Sequence, residues 1–242
     1  MPASFETIIT VIVTEIIPVT IFLYDAYWSL EIRKALASPI YRNHALWQGA
    51  TSIIVVGGPI LTYGTSLVIS LVIAVFYSVF FAVIFAFIDS AVKVARRSDP
   101  LLRSIIRWQT IRFAGWCSIG ALAVVNVYSV FNLNFASGSY YYLVNLFIAI
   151  PFVIGGPAIL IGAKRSGDPI LRGNLKWLGL AVVFGVLFAA EGAVEATFGL
   201  SNFQFFYTYY ALPSGGLWIL IGLAFYKSAR SLAPVNRLTL DG

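Results

Sequence analysis

The chain has 242 residues, 60% of them hydrophobic and 11% charged, against about 25% charged residues in an ordinary soluble domain. Its net charge of +6 rests on sixteen Lys and Arg confined to the windows 33–42, 93–112, 164–176 and 227–237. This leaves no folded soluble face for a nucleic-acid patch, so nucleic acid is excluded as a partner and anionic lipid head groups are expected instead.

Residues 7–30 form the first predicted span. Glu6, Glu15 and the lack of a basic leader segment argue against a cleaved secretory signal, so this span is expected to be retained. Arg33, Lys34 and Arg42 follow it, and no Lys or Arg then occurs until Lys93. That gap suits two spans, 45–63 and 66–92, with a turn near Tyr63-Gly64-Thr65. Two further cation-free stretches divide in the same way, at Asn132-Leu133-Asn134 with Ser137-Gly138-Ser139, and near Gly199-Leu200-Ser201-Asn202. They give spans at 110–132, 140–162, 175–198 and 205–228. The expected fold is therefore all-α: a polytopic membrane protein forming one bundle of seven transmembrane helices over residues 1–242. The opposite loops, 62–66, 131–140 and 198–206, contain no Lys or Arg. The positive-inside rule then places the N-terminus outside and the C-terminus inside a cell membrane. Aromatic clusters at Tyr140-Tyr141-Tyr142 and from Phe205 to Tyr210 fall where an outer interfacial belt is expected. The single Cys117 lies in an apolar run and has no intrachain partner for a disulfide.

A repeated motif marks the basic windows. Pro39-Ile40-Tyr41-Arg42 leads to Trp47, Pro100-Leu101-Leu102-Arg103 to Trp108, and Pro169-Ile170-Leu171-Arg172 to Trp177; Pro234-Val235-Asn236-Arg237 is a fourth copy without its Trp. The prolines lie 61, 69 and 65 residues apart, one helical hairpin each. This predicts three parallel hairpin repeats after a lone first helix, against the plainer account that any cytoplasmic corner selects Pro, Arg and Trp. Pro suits a helix start. Asp99, Asp168 and Ser38, each just before a Pro, suit N-caps. Arg42, Arg103, Arg172 and Arg237 are expected to reach lipid phosphate or a docking partner, with Trp47, Trp108 and Trp177 anchored at the interface. These corners, an Arg-rich run with Asp-Pro, an Arg three residues on and then a Trp, resemble those of multi-span sensor regions of bacterial histidine kinases. The resemblance covers about nine residues per corner. It implies a sensor whose output is a separate protein, since no kinase segment lies within these residues.

Three carboxylates fall inside predicted spans without a nearby cation: Glu15 in the first, and Glu191 with Glu195, four residues apart, in the sixth. Such groups must be protonated, hydrated or bound to a cation. They form either a proton, cation or pocket site, or a structural set bonded to backbone, Asn126, Asn145 or Thr197. Asp25 and Asp89 lie at inner span ends, and Lys93 one turn beyond Asp89 predicts a local ion pair. His44, the only histidine, is expected at the cytoplasmic interface. Gly57-Gly58-Pro59 and Gly155-Gly156-Pro157, with Pro213 before Gly215-Gly216 as a looser relative, predict kinks or close packing. No phosphate loop, metal-ligand spacing or catalytic triad stands in the sequence, so neither a cofactor nor enzymatic activity is expected. Lys227 lies at the inner end of the last span, where it cannot serve a retinal Schiff base. The expected role is a receptor-like sensor or an accessory subunit with a membrane or cytoplasmic protein partner. The alternative is a small proton- or cation-coupled transporter or channel using Glu15, Glu191 and Glu195.

Overall fold

A computed structural model describes residues 5–60, 67–99, 101–102, 107–131, 139–198 and 204–232. Seven long helices account for nearly all of these, and no strand occurs among them. Helix α1 runs continuously through Phe5–Val11, Ile12–Ile16 and Ile17–Ala35, followed by α2 (Pro39–Ile60), α3 (Leu67–Ser98), α4 (Trp108–Phe131), α5 (Ser139–Arg165), α6 (Pro169–Phe198) and α7 (Gln204–Ser231).

Each helix packs on the next, and α7 closes the ring against α1. α3 also packs on α5, which makes it the central rod. Its residues Phe85 through Val92 are all buried, as expected of a segment enclosed by its neighbours, while Val72, Val75 and Val79 nearer its start are exposed. Around it lie Phe22, Trp108, Ile159, Leu175, Leu178 and Phe225. Tight approach depends on missing side chains at two places. A Cβ on Gly162 of α5 would lie 2.8 Å from the Ala95 Cβ and 3.2 Å from its Cα on α3. At Gly155 it would lie 2.8 Å from Ile88 Cγ2. Pro157 is exposed on an unbroken α5, while Pro59 and Pro213 lie within α2 and α7 with side chains outside the described residues.

The middle of α1 departs from α geometry. Residues Ile12–Ile16 form a π turn, in which the Ile17 N–H donates to Ile12 O. Pro18 supplies a cause: it offers no N–H to Thr14 O, and its ring crowds that carbonyl.

Four helical segments are long and apolar enough to cross a membrane: Ile8–Ala35, Leu71–Arg97, Trp108–Tyr128 and Pro169–Leu187. Apolar side chains also face outward; Phe113 is 72% and Val124 70% exposed, a surface that fits lipid better than water. The bundle is thus compatible with a membrane-embedded protein. The predicted turn at Tyr63-Gly64-Thr65 and the loops around Asn132-Leu133-Asn134 and Gly199-Leu200-Ser201-Asn202 lie outside the described residues.

The basic corners meet at one end of the bundle. Arg165, ending α5, reaches Asp99 beyond α3 at 3.3 Å. Lys227 of α7 stands 5.5 Å over the Trp177 ring of α6, and Arg230 of α7 stands 5.4 Å over the Trp28 ring of α1. The corner before α6 shows how the chain turns. Asp168 Oδ1 accepts from Ile170 N–H at 2.8 Å and from Leu171 N–H at 3.4 Å, the expected cap. The Arg172 guanidinium then folds back, its Nη2 donating to Ser166 O at 2.7 Å.

Candidate functional site

A cluster of buried polar side chains lies where α1, α2 and α7 meet. Asp25 and Ser29 stand one turn apart on α1, and His44, Gln48 and Ser52 recur every fourth residue along α2. All five are buried, to 1% exposure or less. The spacing puts each set on one helix face, and packing turns the two faces toward each other. Ser52 Oγ donates to Asp25 Oδ2 at 2.5 Å, and Ser29 Oγ lies 3.5 Å from Oδ1. Gln48 Nε2 donates twice, to Asp25 Oδ1 at 2.9 Å and to Phe225 O of α7 at 2.8 Å. One amide thereby ties three helices. Among the described residues, every bond to the Asp25 carboxylate comes from a neutral donor.

Two acceptors in this layer lack a donor among the described residues. With both amide hydrogens committed, Gln48 Oε1 is buried and unpartnered. One turn earlier, the His44 ring stacks on Phe87 at 5.6 Å, and its Nδ1 lies 2.8 Å from Ser90 Oγ. Ser90 spends its hydroxyl proton on Phe87 O at 2.6 Å, so Nδ1 carries the histidine proton and donates. His44 Nε2 is then a bare acceptor, and it too is buried without a partner. Across α6 and α7, Asn174 Nδ2 donates to Ser228 O at 3.1 Å and to Ser228 Oγ at 2.8 Å, leaving Asn174 Oδ1 without a partner among the described residues. Buried acceptors without donors are uncommon in folded proteins.

A second polar centre surrounds Asp89 on α3. Lys93 Nζ lies 2.7 Å from its Oδ2, the local pair expected from their spacing. Two groups from α4 join it: Arg112 Nε at 3.2 Å and Trp108 Nε1, which donates to Oδ1 at 2.9 Å. This corrects the expectation for Trp108. Its ring is 1% exposed and belongs to the core, because a buried indole needs an acceptor and Asp89 supplies one. Trp47 and Trp177 are half-buried and packed against the same core. The motif copies also differ in register: Pro39 and Pro169 open α2 and α6, whereas α4 opens at Trp108 itself. His44, expected at the interface, is fully buried.

The remaining sequence-derived positions are dispersed. Arg42 and Arg172 are exposed at the basic end, whereas Arg103 and Arg237 lie outside the described residues. Glu15 is half-buried and sits in the π turn of α1. Glu191 and Glu195 occupy the last turns of α6, with side chains outside the described residues. Asn126 Nδ2 donates to Ser78 Oγ at 3.3 Å. Sequence reasoning singled out these glutamates and passed over the Asp25 cluster. The fourfold spacing of His44, Gln48 and Ser52 was the available sign of an inward-facing polar stripe. No protein-family model, curated protein or solved structure matches this chain.

Proposed function

We propose that this chain is a seven-span protein of the cell membrane, N-terminus out and C-terminus in, built from three hairpin repeats. It serves as a receptor-like sensor or accessory subunit without catalytic activity of its own. The observation that carries the reading is the basic end of the bundle. Arg42, Arg107, Lys164 and Lys176 are exposed there, above corners locked by the contacts of Asp99, Trp177 and Trp28. A rigid cationic plate of this kind suits anionic head groups and a docked cytoplasmic partner. The length of α5 and α7, about 40 Å at 1.5 Å per residue, is sufficient to span. The polar face of α2 is turned inward, which accounts for its modest hydropathy as a span.

Topology is tested with single cysteines in a Cys117→Ser background, using a membrane-impermeant maleimide on sealed vesicles. Labelling of Gly138→Cys from outside, with Arg103→Cys and Arg172→Cys reached only after permeabilisation, is the expected outcome. Labelling of all three from one compartment would overturn the reading. A second reading, a proton- or cation-coupled transporter, is favoured by the position of Glu15 in a π turn, a geometry frequent at functional sites. Flux assays in proteoliposomes separate the two. Solute-driven proton or cation flux that falls in Glu15→Gln and Glu191→Gln would favour transport; an absence of flux favours the sensor.

A further inference from the structure

We propose that the basic end of α6 and α7 binds an anionic glycerophospholipid, its phosphate held by Lys176 and Lys227 and its acyl chains laid along the two helices. The inference rests on the reading that this end of the bundle faces lipid head groups, and it names the site and the ligand. Lys176 stands near the start of α6 and Lys227 near the end of α7, and both are exposed. Their ammonium groups share one indole, at 6.0 and 5.5 Å from the Trp177 ring centroid. The ring attracts each cation but cancels neither charge, and the two ammonium groups repel each other. Among the described residues the ion-paired carboxylates are engaged elsewhere: Glu31 with Lys34, Asp89 with Lys93 and Arg112, and Asp99 with Arg165. A phosphodiester supplies the negative charge and the acceptor oxygens that this lysine pair lacks.

The surface adjoining the pair selects a lipid over a soluble anion. On α6, Leu180, Val183 and Leu187 follow Lys176 by four, seven and eleven residues, which keeps them on its face. On α7, Leu223 and Leu220 precede Lys227 by four and seven residues. Leu187, Leu220 and Leu223 are exposed, and Leu180 and Val183 are half-buried. Two apolar stripes on helices that pack together thus end at the same cationic pair. Lysine stems lie along such a surface and carry their charge toward the head groups, and an indole suits the same depth. Basic sites between spans that hold lipid head groups are built in this way. Arg172, one turn before Lys176, commits Nε and Nη2 to Ser166 O, which leaves the lysines as the pair nearest the stripes.

The test uses the full chain purified in a neutral detergent and mixed with equimolar phosphatidylglycerol and phosphatidylcholine of identical chains. Lipid retained by the intact protein is counted by native mass spectrometry, with thermal unfolding as a second readout. Selective retention of phosphatidylglycerol is expected, with a saturable rise in midpoint that phosphatidylcholine does not give. Lys176→Gln and Lys227→Gln should each weaken retention about fivefold, and the double variant roughly 25-fold. Lys34→Gln removes a cation that already has Glu31 and should leave retention unchanged, as should addition of glycerol 3-phosphate, the soluble head-group fragment. Should the double variant fail to fold, the single variants decide the matter. Equal retention of the two lipids, undiminished retention in the lysine variants, an equal loss in Lys34→Gln, or stabilisation by glycerol 3-phosphate matching that of the lipid would each overturn the proposal. The topology labelling is an independent readout: an inverted orientation would leave this selectivity in place, whereas the expected labelling without selectivity would remove the site alone.

Discussion

Asp89→Ala probes the contact that joins α3 to α4. The carboxylate serves three donors of unequal exposure: Lys93 and Arg112 have side chains 43% and 46% exposed, while the Trp108 indole is 1% exposed. Half-exposed ion pairs contribute about 0–1 kcal/mol each. An indole N–H left buried without an acceptor costs about 1–3 kcal/mol. The loss should therefore total roughly 2–4 kcal/mol, most of it from the indole. For a chain of this size each kcal/mol moves the midpoint by about 2–4 °C, so a fall of roughly 5–15 °C is expected. Lys93→Ala, which removes only a half-exposed partner, should cost no more than about 1 kcal/mol. The assay is thermal unfolding of purified protein in one detergent, read as inactivation rate at fixed temperature where unfolding is irreversible. Equal losses in Asp89→Ala and Lys93→Ala would refute the reasoning, because they would show that the buried indole bond is not the dominant contribution.

Other substitutions are predicted with opposite signs. Gly162→Ala must push α3 and α5 apart, since its Cβ would lie 2.8 Å from Ala95, and should destabilise by about 1–3 kcal/mol. By contrast, a Cβ on Gly120 of α4 meets nothing within 4 Å, so Gly120→Ala should stabilise by up to about 1 kcal/mol through helix propensity; a loss of stability there would contradict the open space found beside it. Asp168→Ala removes the acceptor for Ile170 and Leu171 N–H and should cost about 1 kcal/mol, with faster hydrogen exchange confined to the first turn of α6. Asn174→Ala frees Ser228 O and Oγ from their shared donor and should cost about 1–2 kcal/mol, visible as earlier loss of protection in α7 than in α4.

Local spacing made part of this structure legible. Helical rods between basic windows, the Asp168 cap and the Asp89–Lys93 pair all depend on residues within one turn or one hairpin of each other. Contacts between helices were less accessible. Trp108 shares its motif with Trp47 and Trp177, yet among the described residues only Trp108 begins a helix and donates to an acceptor on α3. Nothing in nine residues of motif distinguishes those cases, because the difference arises from where α4 meets Asp89. His44 is the opposite case: its fourfold register with Gln48 and Ser52 was visible, and a polar stripe on an otherwise apolar helix has few places to go except inward. Asp25 could be matched to that stripe only once α1 and α2 were seen to pack face to face.

The π turn in α1 acts as a phase offset. One surplus residue in a helix advances everything beyond it by about 100° around the axis, so residues before Ile12 and after Ile16 point their apolar sides along different azimuths. At that step Val13 O and the Thr14 methyl approach α7 so closely that a Cβ on Gly215 would lie 3.0 Å from the one and 3.1 Å from the other. Excising a single residue there would swing residues 8–11 about a quarter of a revolution relative to the core. The outermost turns of the first helix are thereby indexed independently of the half that carries Asp25.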